Sequence, residues 1–268
     1  MTSDKSFLMD VIVMFSEFSQ IVWVSLSTLI AFFSLAALIP FDQRIAQQTN
    51  PRVSRTKVVR MKYMLAGIFI LSMILGLFSA PYARLSTPVI NHYVSHQPIL
   101  WGSWWEYVGN AVVEAFLLLF MSQIILRRAF RHAEPIPVIP KMQERLGIIM
   151  YDATFEVGLV LYAWLSLLLG ITRQLYGSPR VLLSLGGVIL MSIVFHLWIL
   201  ASLRRFSWAL FWHTVLTQLI AVGVFGLLVL REGIEAGTVA RALTVSVFLW
   251  PSRRVPPGAT RKKYGADV

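Results

Sequence analysis

IVWVSLSTLIAFFSLAALIPF, residues 21–41, carries no charged side chain. A helix needs ~20 residues to cross a hydrocarbon core of ~30 Å, so the stretch is long enough to span a bilayer. VLLSLGGVILMSIVFHLWILASL, residues 181–203, repeats the pattern with His196 as its one ionisable group. The strict alternation of a barrel strand is missing from both. The rest of the chain agrees: 268 residues are 57% hydrophobic with mean hydropathy +0.68, and 14% are charged, against about 25% in a soluble domain. The expected fold is therefore all-α, a polytopic integral membrane helix bundle.

Apolar runs place spans near residues 20–40, 63–80, 107–126, 154–172, 181–203 and 207–230. A seventh, near 237–250, is short and contains Arg241, which suits a tilted, partly inserted or surface helix. The apolar run from Phe7 to Phe41 is too long for a signal-peptide core and has only Lys5 ahead of it, so it is read as mature structure. Within it, Asp10 and Glu17 share a helical face, so residues 6–19 are expected to lie in the interface or to extend the first span outward.

Lysine and arginine set the orientation, because basic loops stay cytoplasmic. Segments 41–62 and 127–153, the turn at Arg204 and Arg205, and the tail hold six, five, two and five basic residues, against six on the other side. The consistent arrangement has about seven spans, the N-terminus outside and the C-terminus cytoplasmic. Residues 1–250 then form one transmembrane domain and 251–268 a basic cytoplasmic tail, in a plasma membrane of the bacterial inner-membrane type. The net charge of +11 is explained by loops that touch anionic lipid headgroups, with no soluble domain to bind nucleic acid. Pro135, Pro137 and Pro140 favour an extended strap before the fourth span.

Several chemistries are excluded or weakened. The absence of cysteine removes disulfides, thiol redox work and thiolate metal sites. No GxxxxGK, GxSxG or HExxH motif is present. A retinal-type Schiff base needs a lysine inside the bundle, and all six lysines fall outside the predicted spans. An enzyme using Glu114 or Glu156 as an acid has no nucleophile or substrate motif behind it and is the less favoured reading.

The ionisable residues inside the membrane carry the functional signal, since each is costly there. Glu106, Asn110 and Glu114 recur every four residues and form one stripe entering from the outer face. Glu114 lies about 12 Å along its span at 1.5 Å per residue, where a lone carboxylate is poorly solvated. It therefore suits a proton or cation path, or equally a hydrogen bond that pins a neighbouring helix.

A second group follows from depth. His196 and His213 are nearly equidistant from the turn at Arg204 and Arg205, and Glu156 is slightly nearer the inner surface, with Asp152 one turn before it. Two imidazoles and a carboxylate at one level suit a proton relay, a transition-metal site or axial haem ligation. Thr214, Thr217 and Gln218 continue the polar face beside His213.

Residues 92–107, HYVSHQPILWGSWWEY, offer a third possibility. His92 and His96 would form an i, i+4 chelate if that loop were helical, which makes them weak metal candidates alongside His196 and His213. The fragment Trp101, Gly102, Ser103, Trp104, Trp105 resembles part of the tryptophan-rich outer loop of the haem-handling cytochrome c maturation proteins, whose WGxWWxWD pattern forms a platform for haem. The resemblance covers those five residues alone; Glu106, Tyr107 and Val108 follow instead of the second Trp-Asp pair. An aromatic belt explains the tryptophans, and that family is not assigned.

Three functions remain. The favoured one is a small-solute or ion transport component with a proton or cation path through Glu106, Asn110, Glu114, Glu156, His196, His213 and Gln218. No cofactor is expected on that reading. The alternatives are a redox subunit binding haem or a metal, and a structural or assembly subunit of a larger membrane complex. Ser72 and Gly76, four apart, allow close helix packing of any kind. The bilayer is the expected partner, with complex subunits or a second copy as further options.

Overall fold

A computed structural model describes residues 3–49, 54–83, 85–96, 98–129, 140–202 and 207–249. Every regular element among them is a helix. In chain order these are α1 (Ser3–Ala37), α2 (Ile39–Thr49), α3 (Arg55–Ala83), α4 (Pro88–Ser95), α5 (Trp101–Ala129) and α6 (Met142–Met150). A π-helical segment (Tyr151–Trp164) then runs directly into α7 (Leu165–Ile171), followed by α8 (Ser178–Ser202), α9 (Trp208–Glu232) and α10 (Ile234–Leu249).

Six helical stretches are long and apolar enough to cross a membrane: Phe18–Ala37, Arg55–Ala80, Trp101–Leu126, Met142–Ile171, Ser178–Ser202 and Trp208–Glu232. They coincide with the six expected runs and extend most of them past the apolar core. Lys57 and Lys62 consequently lie on the second span, not outside it; Lys62 is buried in an ion pair with Asp42 of α2. Residues 6–19 are continuous with the first span in one uninterrupted helix. The basic tail 251–268, the turn at Arg204 and Arg205, and Pro135 and Pro137 of the strap lie outside the described residues.

The fourth span is the core of the bundle, packed by α1 and α3 on one side and by α10 on another. Phe155 stacks on Phe69 of α3 at 4.9 Å and on Tyr151 at 4.7 Å, and Tyr162 meets Trp23 of α1 at 5.1 Å. Small residues allow the approach. A Cβ on Gly76 would lie 2.9 Å from the Cα of Ala163, and one on Gly158 would lie 3.0 Å from the Phe69 ring. Gly158 and Ala163 are five apart, the i→i+5 repeat of a π-helix, and both meet α3. A run of 14 π-helical residues far exceeds the single-turn bulge in which this geometry mostly occurs.

One end of the bundle is tied together by α4. Its first free amides, the N–H groups of Val89 and Ile90, donate to the two carboxylate oxygens of Glu235 at 2.7 and 2.8 Å. A helix N-terminus is thus capped by the first turn of α10. Gly233, at φ 92°, makes the reversal from α9 into α10, and a Cβ there would meet Pro88 Cδ at 2.4 Å. Ser19 and Gln20 of α1 bind Thr87 and the Leu85 carbonyl, so the α4 loop is held from two sides. At the opposite end Arg44 of α2 pairs with Glu144 of α6, which also caps its own helix through the Lys141 amide.

From Gly233 α10 runs back into the bundle, against the π-helical segment, α5 and α9. Its 16 residues extend about 24 Å, short of the ~30 Å core, which is why its apolar run reads weakly in the sequence.

Candidate ion site within the helix bundle

Asp152 and Glu156 stand one turn apart on the π-helical segment and both face α10. Arg241 lies between them: its Nη2 is 3.5 Å from Asp152 Oδ1 and 3.4 Å from Glu156 Oε2. The guanidinium side chain is 8% exposed, so these long contacts are its main compensation, with the Phe225 ring 5.6 Å away. On the other side of Glu156, Oε1 is 2.8 Å from His196 Nε2 on α8. Gln218 of α9 completes the cluster, its Nε2 lying 3.3 Å from His196 Nε2 while its Oε1 accepts from Ser192 at 2.7 Å. Four elements meet here.

The histidine tautomer follows from its neighbours. His196 Nδ1 is 2.8 Å from the Ser192 carbonyl oxygen, which can only accept, so Nδ1 carries a hydrogen. In the neutral ring Nε2 then has a lone pair, and its contact with Glu156 requires one more proton on either Nε2 or the carboxyl. The pair shares that proton as imidazolium–carboxylate or imidazole–carboxylic acid.

Charge counting gives the same result. Asp152, Glu156 and Arg241 sum to one negative charge, and the shared proton brings the cluster to neutrality, as a desolvated site demands. If the proton leaves, one buried negative charge remains for another cation to balance. A cavity of about 20 Å³ beside Glu156, Gln218 and Arg241 has room for one water or a small ion, with Ala221, Val222 and Phe225 as its apolar wall.

The other expected site residues fall elsewhere. His213 does not join His196. Its Nε2 is 2.7 Å from Gln123 Nε2 of α5, an α5–α9 contact away from the cluster. The level relay of two histidines, and with it the paired metal or haem ligation, is therefore replaced by two separate polar contacts. Depth measured from a hairpin does not include the direction in which each ring points.

Glu106, Asn110 and Glu114 do share a stripe, but it faces out of the bundle and all three are exposed. Asn110 and Glu114 line a cleft of about 470 Å³ between α5 and α9; Glu106 does not. Neither the Asn110 nor the Glu114 side chain makes a hydrogen bond or ion pair with any described residue.

His92 and His96 do not form a helical chelate, because α4 ends at Ser95 and His96 adopts φ 53° beyond it. The His92 ring instead packs edge-on against Tyr93 at 5.4 Å and Trp101 at 5.9 Å. Trp101, Trp104 and Trp105 stack edge-to-face in series. Among the described residues no group of three or more His, Cys, Asp or Glu is arranged to hold a metal ion.

Arg241 is the residue of this cluster that the sequence pattern did not assign to a site. Its signal was legible: a lone arginine inside an apolar helix requires a carboxylate partner, and Glu156 in the expected fourth span, with Asp152 one turn before it, offered two. Gln123, a polar residue in an apolar run, carried a similar signal. Comparison with family models, with curated proteins and with solved structures finds no match.

Proposed function

We propose that the protein is a proton-linked transport component for small cations, with the Asp152, Arg241, Glu156 and His196 cluster as its proton site. The observation that carries the reading is the contact between Glu156 and His196. A Glu156–His196 pair at 2.8 Å, buried among membrane-spanning helices, completes a neutral cluster only while it holds a proton. Release of the proton creates a site for a cation, and arrival of the cation displaces the proton, which is the elementary step of exchange. Gln218 and Ser192 hold the imidazole in register, and Arg241 keeps the number of exchangeable charges at one. In this reading Glu114 takes the outer cation site.

The topology belongs to the same proposal. The excess of basic residues in segments 41–62 and 127–153 supports a cytoplasmic α2 end and an outer α4 end. On that orientation α10 enters from outside as a short seventh span, the N-terminus is outside, and the membrane is the plasma membrane.

The test is proton flux in liposomes loaded with a pH-sensitive dye, driven by a potassium or sodium gradient. Wild-type protein should exchange cation for proton. Glu156→Gln, nearly isosteric, should reduce the flux at least tenfold while inserting and purifying normally. Equal flux in the two proteins would remove the cluster from the mechanism, and fixed co-purifying subunits with no flux in either would favour a structural role.

A further inference from the structure

The cleft between α5 and α9 contains an intramembrane carboxyl group with no balancing side chain among the described residues, and its shape and chemistry point to a ligand. We propose that this cleft binds a lipophilic cation, an apolar body carrying one protonated amine or onium centre, with Glu114 as the counter-charge. The proposal deepens the reading of Glu114 as the outer cation site and rests on that reading alone, since a body of this size fills the cleft and not the cavity of about 20 Å³ beside Glu156.

Size is the first argument. A cleft of about 470 Å³ falls in the range that accepts one small organic molecule, roughly 300–1,000 Å³, and is lined as such sites are, by apolar side chains with a few polar groups. Leu118, Leu219, Ile220 and Leu227 supply walls, and Gly223 supplies depth: a Cβ placed on it would meet nothing within 4 Å.

Charge is the second. Asn110 and Glu114, one turn apart, both line the cleft without a protein partner among the described residues. Arg231 is the one cation among the described lining residues, and it is engaged elsewhere. Its guanidinium lies 3.8 Å over the Tyr107 ring, binds the Tyr107 hydroxyl and reaches Glu232 at 3.3 Å. Tyr107 precedes Glu114 by seven residues, about 10 Å along the helix, and Arg231, held by Tyr107 and Glu232, makes no ion pair with the carboxylate. The cleft thus presents one negative charge between apolar walls. An apolar cation dissolved in the bilayer is complementary to both features, and Asn110 can orient a second polar group on it.

The experiment is saturable binding of radiolabelled tetraphenylphosphonium to the full chain in phosphatidylcholine nanodiscs. Wild-type protein should bind about one equivalent. Glu114→Gln should weaken binding at least tenfold by removing the charge, and Gly223→Leu, which has open space at its Cβ, should do the same by filling the cleft. Val113→Thr, beside Glu114 but outside the cleft, should bind as wild type does. Unchanged binding in Glu114→Gln or Gly223→Leu, or no saturable binding in wild type, would overturn the proposal. The chain has no cysteine, so Leu227→Cys also reports on a competing occupant. Efficient disulfide cross-linking between two copies through that position would assign the cleft to a second copy and overturn the proposal as well. Binding is read without flux, so this site and the exchange mechanism can fail independently.

Discussion

Glu156 and Glu114 are both carboxylates on membrane-spanning helices, and their surroundings differ in nearly every respect. Glu156 lies on the fourth span, whose apolar window is 72% buried, with Arg241 on one side and His196 on the other. Glu114 lies on α5, whose window is 28% buried, and has no partner in the cleft it lines. An interior carboxylate is tolerated because protein groups replace its water. One facing lipid pays up to about 3 kcal/mol at the bilayer centre unless something outside the chain compensates it. The first arrangement suits the proton site proposed above, the second the proposed ligand site.

The contrast is most easily broken at Arg241. Arg241→Met should destabilise the protein by about 3–5 kcal/mol, because two buried carboxylates lose their shared cation. Fluorescence-detected size exclusion after heating would show an early loss of the monodisperse peak. Adding Asp152→Asn should recover part of that loss by restoring the charge count. Failure to recover any of it would mean that Arg241 supports packing alone and not charge balance.

Glu235 provides an intermediate case, a carboxylate partnered by two backbone amides and not by a cation. Glu235→Ala should cost about 1 kcal/mol, as loss of a helix cap typically does, and should speed amide exchange at Val89 and Ile90. Protected amides in the variant would show that α4 is held by the Ser19–Thr87 contact instead.

At the other extreme, Glu114→Gln should change thermal stability by no more than about 0.5 kcal/mol, or raise it slightly, since no protein contact is lost. A large loss of stability would reveal a partner for Glu114 and erase the distinction between the two regions.

Hydropathy made the spans legible because bilayer thickness imposes a length that few other structures need. Periodicity correctly grouped Glu106, Asn110 and Glu114 on one face, but helical spacing does not state whether that face turns toward protein or lipid. The apolar residues around the stripe occur on both sides of α5, so no amphipathic contrast marks the interior. His196 and Glu156 were identified at compatible depths and are in contact, whereas His213, at a similar depth, turns to Gln123. The π-helical geometry of Tyr151–Trp164 had no counterpart in the pattern. Its small residues Gly158 and Ala163 meet α3, a tertiary contact that the local sequence of either helix does not announce.

The central claim is that one proton is shared between His196 and Glu156 while the Ser192 carbonyl fixes Nδ1–H. Nitrogen-15 solid-state NMR of histidine-labelled protein in lipid tests it directly, with a His196→Asn sample to assign the signal. The account predicts that His196 Nδ1 is protonated at every pH at which the fold survives, and that Nε2 responds to Glu156→Gln. A neutral His196 with its hydrogen on Nε2 and a bare Nδ1 would contradict it, because that tautomer meets the Glu156 contact with the imidazole's own hydrogen, so the pair holds no additional proton and the cluster keeps one negative charge.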